Sequence, residues 1–147
     1  MSAVLKELRA QIQVNASSTR VWNILTDFEK YEQWNPFIHK IVGAPIEGSS
    51  IKIHLRTPGG KSRQYAPMVT KVDQGRELRW IGRSMLLTGE HIFMIEEKQA
   101  DSVLFIQREI FGGLLAAFFG RSTHEDIEAG FRQMNEALKQ RSERTQV

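Results

Sequence analysis

The sequence has no cysteine, which removes disulfides, thiolate metal sites and cysteine nucleophiles together and favours a reducing, cytoplasmic setting. Long hydrophobic runs are also missing: the longest nearly uncharged stretch, Ile110 to Gly120, falls well short of the ~20 residues that a membrane span requires. Met1 to Val14 carries Lys6, Glu7 and Arg9 among its apolar positions, so it lacks the h-region of a signal peptide. Nor does one sign of charge dominate. Twenty Lys and Arg against 17 Asp and Glu leave a net charge of +3, far from the dense basic surface of a nucleic-acid binder. No Gly-rich phosphate loop opens a helix after a strand, and no nucleophile elbow is present. His39, His54, His91 and His124 show none of the short metal-ligand spacings. The sequence therefore predicts no cofactor, no metal, no nucleic-acid partner and no stable membrane insertion.

What is present suits a single ordinary domain: 147 residues, 41% of them hydrophobic and 25% charged, uninterrupted by repeats or linkers. Leu8, Ala10, Ile12 and Val14 alternate with Arg9, Gln11 and Gln13, the period of a half-buried strand. A short helix follows through Val21, Trp22, Leu25 and Phe28, capped by Ser17 or Ser18 and broken near Asp27. From Ile38 to Phe111 strands succeed one another across turn signals, as in an antiparallel meander. Its pieces are Ile38 to Val42, Ile51 to Arg56, Arg63 to Val72, Glu77 to Gly82, Gly89 to Glu96 and Val103 to Phe111. The helical period then returns in the stripe Ile127, Phe131, Met134 and Leu138, with the helix starting at a Ser122–Glu125 capping box or earlier, near Leu114. A curved sheet around one amphipathic helix leaves room for a cavity, the usual form of a small-molecule site.

The segments Val21 to Phe28, Tyr31 to Phe37, Arg76 to Gly82, Gly89 to Phe93, Arg108 to Phe111 and Asn135 to Lys139 resemble the SRPBCC superfamily, the START-like group that includes polyketide cyclase/dehydrase proteins. The resemblance implies an α+β helix-grip fold. About seven antiparallel strands would wrap around a long C-terminal helix, with two short helices after the first strand and an internal hydrophobic cavity.

Strand alternation places Ile53 and Leu55 on the cavity face and turns Lys52, His54 and Arg56 to solvent. The same logic groups Trp80 with Leu78, His91 with Phe93 and Ile95, and Glu109 with Phe105, Gln107 and Phe111, while Tyr65, Ile127, Phe131 and Met134 complete the expected lining. A strand register summing to about 198 to 200 would set His91 beside Glu109. Such a pair either satisfies itself, acts as acid and base, or hydrogen-bonds the polar end of a ligand, and the last reading is the one taken. Trp34-Asn35-Pro36-Phe37 forms a corner whose aromatics frame the cavity mouth or pin helix to sheet, with Asn35 as a candidate ligand contact. Leu114 to Phe119 reads as a lid or as buried first turns of the terminal helix, the latter favoured. Gly130 on the helical stripe implies that something needs space there.

These features point to a protein that binds a hydrophobic or amphipathic small molecule, of lipid, polyketide or isoprenoid type. The alternatives are a cyclase or dehydratase using His91 and Glu109, with Arg108 or Tyr65 stabilising an enolate, and a protein-interaction module. A homodimer is compatible with all three.

Overall fold

Polar and apolar residues alternate along the first strand, β1 (Lys6–Val14), which buries Leu8, Ala10 and Val14 and exposes Arg9, Gln11 and Gln13. The computed structural model describes residues 6–114, 116 and 120–144. Helix α1 (Ser18–Thr26) begins where the Ser17 hydroxyl accepts the Arg20 backbone N–H and buries Val21, Trp22 and Leu25. It ends at Asp27; a 3-10 turn (Phe28–Lys30) and the four-residue α2 (Tyr31–Trp34) follow. The meander comprises β2 (Ile38–Val42), β3 (Lys52–Arg56), β4 (Ser62–Tyr65), β5 (Met68–Asp73), β6 (Glu77–Arg83), β7 (Thr88–Gln99) and β8 (Ser102–Gly112). Helix α3 (Arg121–Glu143) closes the fold.

The strands form a five-stranded antiparallel sheet, ordered β1-β8-β7-β6-β5, and a three-stranded one, ordered β2-β3-β4. This is the expected helix-grip α+β arrangement, with one difference: the anticipated strand Arg63 to Val72 is cut in two. Ile53 faces Tyr65, and the isolated bridge Ser50–Met68 continues the same register, so β4 and β5 follow one line along β3. Pro67 accepts the Ile51 N–H through its carbonyl at 2.9 Å but has no N–H to return, so the ladder is interrupted there before the Val69 N–H donates to the Ser49 carbonyl at 2.9 Å. On the other side β5 pairs Met68 with Ile81 and Val69 with Trp80. Continued, that register would set Ala66 beside Arg83; among the described residues β4 pairs with β3 alone. The sheet therefore splits between β4 and the β6–β7 turn.

Helix α3 packs chiefly along β1 and buries Phe131, Met134 and Leu138, as its stripe requires. Its N-cap is Gly120 and makes no side-chain hydrogen bond, so Ser122 lies inside the helix rather than capping it. Residues 115 and 117–119 of the apolar segment considered for a lid or buried turns lie outside the described residues; Leu114 is exposed and Ala116 buried. At the far end the Arg20 guanidinium donates to the carbonyls of Arg141, Ser142 and Arg144, satisfying groups that the last helical turn leaves free. Among the described residues no helix is long and apolar enough to cross a membrane.

Candidate functional site

Between the split sheet and α3 lies a cavity of about 380 Å3. Ten of the anticipated site residues line it: Phe37, Ile53, Leu55, Tyr65, Trp80, His91, Glu109, Phe111, Ile127 and Phe131. Trp80, Phe37 and Phe131 are held by edge-to-face contacts with their neighbours, so the walls are fixed by packing rather than by free rotamers. The opening is the split itself, with Arg63, Tyr65, Ala66 and Pro67 on one lip and Gly82, Arg83, Ser84 and Leu87 on the other.

His91 and Glu109 are direct partners in the β7–β8 register, and Nδ1 of His91 stands 3.1 Å from Oε2 of Glu109. Gln107, fully buried on β8, sets the orientation of the imidazole. Its amide donates to the Phe131 carbonyl at 3.2 Å and to Oδ1 of Asn135 at 2.7 Å. Oε1 of Gln107 is thereby left to accept from Nε2 of His91 at 2.9 Å, which assigns a proton to Nε2. Nδ1 faces the carboxyl. The approach is close but off the hydrogen-bonding direction: Oε2 is buried and has no hydrogen-bond partner. The centre of an apolar cavity thus holds a carboxyl oxygen with acceptor capacity to spare.

Four anticipated residues do not line the cavity. Trp34 packs on Tyr31 with ring centroids 5.1 Å apart and faces a separate polar groove. Asn35 turns its Oδ1 to the backbone N–H groups of Phe37 and Ile38, at 3.0 and 2.9 Å, which shapes the corner, while its Nδ2 is buried without a hydrogen-bond partner away from the cavity lining. Phe93, fully buried, stacks on the His91 ring at 4.2 Å and supports it from behind. Met134 is fully buried in the core. Arg108 points to the opposite face of β8 and pairs with Glu7, which removes it from any role at the cavity.

The lining residues that the sequence reading missed, notably Arg63, Pro67, Gly82, Arg83 and Gly89, gather at the split. One signal for them was present: Gly82 and Gly89 face each other across β6 and β7, and a Cβ on Gly89 would lie 3.0 Å from Oε1 of Glu109. A larger hollow of about 810 Å3 runs beside α1 and the end of α3, but it is an open polar groove whose Arg20 is spent on helix carbonyls. Among the described residues no group of three His, Asp or Glu side chains is placed to hold a metal ion.

Residues 6–143 match the family described as "Polyketide cyclase / dehydrase and lipid transport", and the chain belongs to that family. The sequence has no significant match among curated proteins. Several solved structures share the fold. A START superfamily protein from Mycobacterium smegmatis is 21% identical with a TM-score of 0.75, over 93% of this chain and 97% of that one. The Zhui aromatase/cyclase from Streptomyces sp. R1128 is 14% identical with a TM-score of 0.76, over 96% and 95% of the two chains. A norcoclaurine synthase point mutant from Thalictrum flavum is 12% identical with a TM-score of 0.70, over 97% and 96%.

Proposed function

We propose that the protein binds a compact hydrophobic or amphipathic small molecule in the cavity, with Glu109, positioned beside His91, hydrogen-bonding a polar group on it. The observation that carries this reading is the buried Oε2 of Glu109, which lies 3.1 Å from His91 Nδ1 but has no hydrogen-bond partner, in a mainly apolar wall. Burial of apolar surface, at roughly 25 cal/mol per Å2 before association costs, would supply most of the affinity. A ligand hydroxyl or N–H donated to Oε2 would fix its orientation. At about 380 Å3 the cavity lies near the low end of the ~300–1,000 Å3 usual for small-molecule sites, which favours a compact molecule over a two-chain lipid.

Native mass spectrometry of the purified protein, followed by extraction under denaturing conditions, tests the proposal. A near-stoichiometric copurifying small molecule is the expected result. An empty protein that gains no thermal stability across a hydrophobic ligand panel would overturn it. A ligand at 100 times its dissociation constant adds ~2.7 kcal/mol, or about 5–10 °C in Tm for a chain of this size.

The tautomer set by Gln107 favours a second reading, in which the pair moves a proton to or from a bound substrate. Binding and turnover separate the two. In a carrier His91→Ala weakens affinity modestly; in an enzyme it abolishes turnover while binding persists.

A further inference from the structure

The mouth of the cavity carries charge that its apolar walls do not require. Arg63 on β4 and Arg83 at the end of β6 stand on opposite lips of the split, the first half-buried and the second exposed. Other arginines of this sheet are ion-paired: Arg79 with Glu77 and Glu90, and Arg108 with Glu7. Among the described residues neither Arg63 nor Arg83 has a carboxylate within ion-pair distance. The nearby Asp126 acts on Arg63 only through its field, since its carboxylate is engaged by Thr57 and Gly59.

We infer that the ligand bears an anionic end, a carboxylate or comparable oxyanion, which sits at the mouth between Arg63 and Arg83 while its apolar body fills the cavity. This deepens the binding reading and rests on it. A guanidinium presents a planar fork of N–H donors that matches a carboxylate, and two of them on facing lips can grip both of its oxygens. The interior sets the direction of insertion. An anion pushed inward would leave water for an apolar wall and approach the carboxyl of Glu109, which costs free energy twice over. The ligand therefore enters tail first, with its charge held at the wet rim and any uncharged donor group directed to Oε2 of Glu109.

Decanoate and 1-decanol, which differ only in the head group, test this by isothermal titration calorimetry at low ionic strength. The wild type is expected to bind decanoate about tenfold or more tightly than decanol. The double substitution Arg63→Gln/Arg83→Gln should remove that preference and leave decanol affinity unchanged, and added salt should erode the preference because the rim is exposed. Equal binding of the two probes by the wild type, or a preference that survives the double substitution, would overturn the inference while leaving the cavity reading intact. Leu55→Trp, which plugs the cavity, distinguishes failure of the parent reading. If both probes bind the plugged protein as well as the wild type, or neither binds the wild type, the cavity reading falls and the anionic-ligand inference falls with it.

Discussion

The ring of Phe37 fills the space that a side chain on Gly130 would occupy: a Cβ placed there would overlap Cδ1 and Cε1 and lie 3.1 Å from Cγ. The glycine lets α3 approach the corner that follows α2, and Phe37 in turn packs edge-to-face on Phe131 at 5.7 Å and lines the cavity.

Gly130→Ala should therefore destabilise the protein. Alanine gains ~1 kcal/mol of helix propensity over glycine, but overpacking a ring that is only 1% exposed costs about 1–3 kcal/mol. The net expectation is a Tm lowered by several degrees in a thermal melt, since ~1 kcal/mol corresponds to about 2–4 °C. A higher Tm in the variant would mean that Phe37 yields easily.

Acid should weaken the tie between the β3–β4 hairpin and α3. The Thr57 hydroxyl, the Gly59 N–H at 2.7 Å and the charges of Lys61 and Arg63 hold the Asp126 carboxyl below its ordinary value of 3.8. A depressed carboxyl contributes stability above its unfolded value and loses it as pH falls through the folded one. The Tm difference between wild type and Asp126→Asn should be full near neutral pH and vanish progressively below about pH 4. A difference that is constant across that range would show that the charge is not what the hairpin uses.

Gln107→Leu should cost about 2–4 kcal/mol in chemical denaturation, because it leaves the Nε2 proton of His91, the Phe131 carbonyl and Oδ1 of Asn135 buried without their shared partner. Asn135→Leu added to it should cost less than the sum of the two single changes, since both act on one network. Strict additivity would mean that Gln107 and Asn135 act independently.

The parts of this arrangement that were legible in the sequence are those set by period. Alternation along β7 and β8, with a short turn between them, put His91 opposite Glu109, and the helical stripe placed Ile127 and Phe131 on the cavity side. Trp34 and Asn35 were assigned to the cavity from their place at the corner that Pro36 marks, and a corner can turn either way: Asn35 spends its oxygen on the backbone amides of Phe37 and Ile38. The mouth was not legible because alternation describes side chains within a continuous strand, whereas Arg63 and Arg83 acquire their role from the break at Ala66–Pro67. Alternation put Gln107 on the face of Glu109, but not its role, which depends on what α3 presents to it from 24 and 28 residues away.

The split beside β4 also leaves a strand with an unpaired edge, and such edges invite other chains to add to them. This one carries the usual deterrents: it is four residues long, it is followed by Pro67, and Lys61 and Arg63 flank its start. Replacing Arg63 and Pro67 together with threonine and valine should raise the tendency to self-associate, seen as light scattering at high protein concentration, while Arg83→Gln should not. The residues that keep a small molecule's entrance open thus also keep the protein from polymerising through it.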